Sequence, residues 1–192
     1  LTVKQEKVAD ALHRVGDFIE SPVLPVRPSP IQYGYRNHAR FTINRDGDLG
    51  FVNRQTRQFV RIDRCMLMHE GINGPLAELQ GKCAETSQLS IRSGQETRDT
   101  LVQPTLINPE ISLASGQKFY GDSIDGHAFR VSSPSFFQVN VEQTVQVVQV
   151  IREALDVLAT APAVAQTVHA TAGVWGKVPV FAKSTPGFIV NR

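Results

Sequence analysis

The spacing of apolar positions changes several times along the chain. Val3, Val8, Ala11, Leu12 and Val15 fall near helical spacing, which predicts an opening amphipathic helix over residues 3–15. SPVLPVRPSP (21–30) carries four prolines and predicts an extended linker. Period-two alternation then takes over in ARFTIN (39–44), RDGDLGFVN (45–53) and RQFVRID (57–63), three short strands with a hairpin turn at Asp46-Gly47. On the first of these, Phe41 and Ile43 share one face and Arg40 and Thr42 the other. A meander with one apolar and one arginine-bearing face is expected.

GINGPLAELQGK (71–82) predicts a short helix with Ile72, Leu76 and Leu79 inward. Strand-like runs resume at QLSIRSG (88–94), TLVQPTLI (100–107), EISLAS (110–115) and HAFRVSS (127–133), the last with Phe129 and Val131 on one face. At SPSFFQVN (133–140) the period switches again. Asn140 is a good N-cap, Gln143 occupies the capping-box position, and Val145, Val148, Ile151 and Leu155 run down one helical face. From residue 158 onward the chain holds three of its twenty Lys and Arg residues and no acid. There the pattern predicts a helix from Pro162 with Thr160 as N-cap, a strand at VPVFA and a turn at STPG. The expected fold class is α+β: an antiparallel meandering sheet with flanking helices, one before, one within and one after, plus a short helix–strand C-terminal tail.

Composition narrows the class. With 192 residues, 41% hydrophobic and 20% charged, the chain has the make-up of a soluble protein of one domain or one and a half. No apolar run reaches the roughly 18–20 residues of a membrane span, and the mixed-charge start is unlike a secretory signal. The absence of an initiator methionine fits a processed or truncated chain. Cys65 and Cys83 cannot build a disulfide framework, so a cytoplasmic location is expected. Net charge is only +2 but unevenly spread: seven arginines and no lysine lie between Arg36 and Arg64, opposed by Asp46, Asp48 and Asp63. Guanidinium forks suit phosphate and base stacking, so this patch reads either as a nucleic-acid contact or as a solvated hairpin face.

YGYRNHARFTI (33–43), GDLGFVNRQTRQFVRIDRC (47–65) and VSSPSFFQVN (131–140), in this order, resemble the central region of the RNA uracil-C5 (5-methyluridine) methyltransferases, enzymes of ribosomal and transfer RNA. The resemblance covers residues 1 to about 155. It implies S-adenosylmethionine as methyl donor and a covalent mechanism. A cysteine thiolate adds to carbon 6 of uracil, and a carboxylate base removes the carbon-5 proton after methylation. In the family these groups belong to a Rossmann-like domain after the helix that starts here at Asn140, and no D-x-x-C-G-x-G-like run follows residue 140. The chain alone is therefore expected to lack methyltransferase activity, to have no catalytic residue of its own and to hold no cofactor.

The same resemblance assigns candidate roles. Gln138 matches the glutamine that touches S-adenosylmethionine, with helix capping beside Asn140 as the structural alternative. Phe137 is the candidate ring beside it; as adjacent strand residues, Phe136 and Phe137 point to opposite faces. Cys65 matches one of four iron–sulfur ligands but is here an orphan, and no cluster is expected. Cys83 matches no motif and reads as a small core or surface thiol. Arg36, Arg40, Arg54 and Arg57 are the candidates for RNA backbone contact. Tyr33 and Tyr35 could stack on a base or pack beside the sheet, His38 could be exposed or near phosphate, and His127 reads as a turn residue.

Residues 158–192 are similar instead to the end of the nucleotide-binding domain of 3-hydroxyacyl-CoA dehydrogenases, through GKVPVFAKSTPGFIVNR. There Asn191 matches a position near the substrate, while His169 does not match the catalytic histidine and no G-x-G-x-x-G occurs. Two families meeting near residues 153–158 point to a chimera, and its uncovered apolar elements to self-association.

Overall fold

Strand β1 (His38–Ile43) sets the architecture, because its alternation separates two environments. Ala39, Phe41 and Ile43 are buried on one side; Arg40 is exposed on the other. The structure, a computed structural model, describes residues 1–20 and 23–160. It divides into two compact units, Leu1–Val148 and the residues from Gln149 onward.

In the first unit β1 is followed by β2 (Leu49–Val52) and β3 (Phe59–Arg61), then α2 (Glu70–Leu79), β4 (Gln88–Ser93) and β5 (Thr100–Gln103). The five strands form one antiparallel sheet in the order β3-β2-β1-β4-β5. The β1–β2 hairpin turns at Asp46-Gly47 as expected. The Asn44 side-chain oxygen accepts from the amides of Asp46 and Asp48, and Gly47 sits at φ 83°. A Cβ there would also lie 2.9 Å from the Cys83 amide nitrogen, so no other residue fits without strain.

Helix α2 crosses the apolar face of this sheet. Ile72, Leu76 and Leu79 are fully buried against Phe41, Leu49, Leu89, Ile91 and Val102. His69 caps its start through a bond from the Gly71 amide to Nδ1. Cys83 closes the same core, its thiol bonded to the Leu79 carbonyl and pushed up to about 11 by burial.

Four expectations change. EISLAS (110–115) forms no strand, and the run TLVQPTLI stops at Gln103, before the Pro104 that cannot donate to a ladder. The loop that follows covers the edge of β5 instead. The Gln117 side-chain oxygen takes the Val102 amide, Gly116 donates to the Val102 carbonyl, and Leu106, Ile111 and Leu113 pack onto the core. A strand not foreseen, β6 (Phe119–Ile124), pairs with β7 (His127–Ser132), and together they make a separate two-stranded ribbon. His127 accordingly opens a strand rather than sitting in the turn, which falls at Asp125-Gly126. Helix α1 (Thr2–Gly16) forms where expected but buries none of its residues, and Val3, Val8 and Val15 are exposed.

Helix α3 (Val141–Thr160) begins in the first unit and ends in the second. Of its expected apolar stripe, Val145 and Val148 are half-buried; Ile151 and Leu155, in the second unit, are exposed. The tail helix, the VPVFA strand, His169 and Asn191 lie outside the described residues. No described helix is long and apolar enough to cross a membrane.

Candidate functional site

The outer face of the sheet, opposite α2, carries the polar half of the alternation. Register places His38 beside Arg92 and Arg40 beside Ser90, and on the far side of β4 Arg92 beside Leu101 and Ser90 beside Gln103. Leu101 is covered by Tyr120 and Val131 of the ribbon and by Phe137, a second, smaller core. The remainder stays open as a cleft of about 420 Å³. It is lined by His38, Arg40, Gln88, Ser90, Arg92, Gln103 and Pro104, with Ser133 and Pro134 as its far wall.

That wall is the start of SPSFFQVN, and a buried asparagine holds it in place. Asn37 is 1% exposed. Its amide nitrogen accepts no bond but donates, to the Gln138 carbonyl at 3.2 Å and to Asp122 at 3.1 Å. Its backbone N–H donates to the Val139 carbonyl, and its own carbonyl accepts from Ser93. Asp122 is itself fully buried and also accepts from the amides of Gln95 and Ser123; burial raises its carboxyl above the usual range. Strand β1, the ribbon and the joint before α3 are thereby fixed to one side chain. Asn140 then caps α3, accepting from the Gln143 amide at 2.9 Å, but the Gln143 side-chain oxygen returns no bond. Half of the expected capping box forms.

Within the joint the two rings part. Phe137 packs edge-on to Tyr120 at 6.4 Å and against Phe129 at 5.8 Å. Phe136 is 82% exposed, and Gln138 is exposed beside it. The cavities flanking the joint are lined by Ser133 and Pro134 on one side and by Asn140 on the other, not by these three side chains. The candidate pair is thus split: the Gln138 amide is exposed, whereas the Phe137 ring is packed against the ribbon and the ring on the open surface is Phe136.

The arginines sort by what they already touch. Arg61 pairs with Asp48 at 3.3 Å and Asp63 at 3.0 Å, and Arg64 pairs with Glu70. Arg36, Arg40, Arg54 and Arg57 form no ion pair among the described residues. Arg54 and Arg57 project from the tight β2–β3 turn, which Asn53 closes by accepting from the amides of Gln55 and Thr56. Arg36 lies half-buried at the entry to β1, its amide bonded to the Leu67 carbonyl. Arg36 and Arg40 thus belong with the cleft strand, while Arg54 and Arg57 stand apart on the turn. Tyr33 is exposed and Tyr35 half-buried.

Two residues of the cleft were underrated by the sequence. Arg92 is 8% exposed. His38 is half-buried, its Nε2 3.0 Å from the Ser90 hydroxyl. Burial, and then the positive charges of Arg92, Arg36 and Arg40, push His38 down to about 4, so at neutral pH the ring is uncharged. Arg92 shares the polar positions of QLSIRSG with Gln88 and Ser90, so nothing in the local pattern marked it as buried.

Cys65 sits on a loop that Asn73 clamps, accepting from the Cys65 amide and donating to the carbonyls of Cys65 and Met68. Its thiol is half-buried beside a cavity of about 450 Å³ lined by Tyr33, Arg64 and Met66. Among the described residues no three metal-ligating side chains converge, so these residues do not by themselves fit an iron–sulfur cluster.

No protein-family model matches the chain. Among curated proteins it is similar to an uncharacterized RNA methyltransferase of Gloeobacter violaceus, 23% identical over 83% of this chain and 47% of that one. A second, from Synechocystis, is 27% identical over 64% of this chain and 30% of its own length. The chain therefore spans less than half the length of these relatives. Among solved structures it resembles the Pyrococcus abyssi tRNA (uracil-54, C5)-methyltransferase, determined with S-adenosyl-L-homocysteine. The TM-score is 0.58 at 20% identity, over 79% of this chain and 47% of that one. Over most of its length, then, the chain is related to RNA methyltransferases and has the fold of the corresponding part of a tRNA uracil-C5 methyltransferase.

Proposed function

We propose that residues 1 to about 155 are the RNA-engaging central part of an RNA uracil-C5 methyltransferase acting in the cytoplasm on ribosomal or transfer RNA. The observation that carries this reading is the junction of two surfaces. A cleft lined by His38, Arg40 and Arg92 abuts SPSFFQVN, whose Phe136 and Gln138 are exposed at the entry to α3. RNA phosphates contact Arg36, Arg40, Arg54 and Arg57. Gln138, with Phe137 behind it, forms one wall of the S-adenosylmethionine site. When bound, that cofactor supplies an electrophilic methyl group. The residues of this chain position the RNA and hold the amide wall still through Asn37. Of the two cysteines, Cys83 is buried with its thiol pushed up to about 11, which keeps it from acting as a thiolate, and Cys65 is held on the Asn73-clamped loop; neither is proposed as a nucleophile.

The chain alone accordingly binds RNA without transferring a methyl group. Binding to a structured RNA should weaken steeply with salt, because guanidinium–phosphate contacts release counterions. Affinity that ignores salt would remove the arginine reading. Transfer of labelled methyl from S-adenosylmethionine to RNA above background would overturn the claim of inactivity. The tail from residue 156 is proposed to be foreign to this domain, joined near residues 153–158, and NADH-dependent reduction of acetoacetyl-CoA would reverse that ranking. Exposed Ile151 and Leu155 favour self-association, which a monomeric mass by light scattering would contradict.

A further inference from the structure

Arg92 is a buried cation without a counterion. It is 8% exposed, and among the described residues no carboxylate lies within ion-pair distance. Its Nη1 donates to the Ser135 carbonyl at 2.7 Å, and its guanidinium also meets the Tyr120 hydroxyl. Its Nε is buried with no acceptor. A guanidinium held this way is costly unless an anion completes its surroundings. The nearest neighbours make the deficit worse. Arg40 lines the same cleft and Arg36 is close enough to act on His38, whose ring stays neutral beneath this positive charge.

We infer that the cleft between β1, β4 and Ser133-Pro134 is a phosphate site, and that its occupant is a backbone phosphodiester of RNA, held by Arg92 and Arg40 with the Ser90 hydroxyl and the His38 ring beside them. The cleft takes phosphate rather than carboxylate geometry because two guanidinium groups approach it from adjacent strands, and at about 420 Å³ it leaves room for the flanking riboses. The occupant's identity rests on the RNA reading above. The site also gives Arg92 a second task, since the Ser135 bond ties phosphate occupancy to the position of the SPSFFQVN wall.

The test uses the full chain, a fluorescent single-stranded oligouridylate and, separately, inorganic phosphate. Arg92→Gln should weaken RNA binding about tenfold and lower the slope of log affinity against log salt by about one phosphate contact. Gln88→Glu, which places a carboxylate in the cleft and leaves the guanidinium intact, should do the same, so misfolding of the first variant cannot imitate the result. If both variants bind RNA like the parent while the paired Arg54→Gln, Arg57→Gln change abolishes binding, the cleft assignment falls and the RNA reading stands. If no form binds RNA but inorganic phosphate raises the melting temperature of the parent and not of Arg92→Gln, the cleft is a free-phosphate site and the RNA reading falls.

Discussion

The two faces of the five-stranded sheet are made by the same strands and could hardly differ more. Under α2, Phe41, Leu89, Ile91 and Val102 meet Ile72, Leu76 and Leu79 in a sealed apolar layer. One residue over in each strand, His38, Arg40, Ser90 and Arg92 face a cleft. The first face holds the fold. The second leaves a cation buried and a histidine driven neutral, which a structure optimised for stability alone would not retain. The difference teaches where each face's residues act: the inner face on folding, the outer face on a ligand.

The contrast can be broken by mutation. Phe41→Ala, on the sealed face, should cost roughly 3–5 kcal/mol of unfolding free energy by chemical denaturation. Asn73→Ala removes three bonds that pin the Cys65 loop, and should cost about 1–3 kcal/mol while making the Cys65 thiol faster to react with a disulfide reagent. Asn140→Ala, which deletes the α3 cap, should cost about 1 kcal/mol. A loss as large for Arg40→Ala, an exposed position on the outer face, would erase the distinction between the faces; within about 0.5 kcal/mol is expected.

The outer face also carries a pH signature. In the folded protein burial, and then the positive charges of Arg92, Arg36 and Arg40, push His38 down to about 4, below its ordinary 6.5. Between those values the unfolded chain takes up a proton that the folded chain refuses. Stability is therefore full above pH 6.5 and declines as pH falls toward 4. His38→Gln should flatten that part of the stability profile, and an unchanged profile would mean the ring is not held neutral.

Much of this arrangement was legible in the sequence. The alternation of ARFTI, the Asp46-Gly47 turn, the inward stripe of α2 and the Asn140 cap follow from local chemistry and hold in the fold. What was not legible depends on distant partners. EISLAS alternates like a strand, yet the Val102 amide is taken by Gln117, so no ladder remains for it to join. FYGDSI lacks clean alternation because Asp122 is buried to bind Asn37 across 85 residues. Arg92 looked like an ordinary solvent-face residue of QLSIRSG; only the ribbon folding over β5 buries it. FFQ was recognisable as a motif, but which ring would pack and which would face solvent was settled by Tyr120 and Phe129.

The central claim is that the outer face of the sheet receives the RNA backbone. Titration of the isotope-labelled chain with single-stranded oligouridylate, followed by NMR, tests it directly. Shifts are expected at His38, Arg40, Ser90, Arg92 and Gln103, fading as salt is raised. Shifts confined to α2 around Ile72 and Leu76, or none at all on the cleft strands, would contradict it.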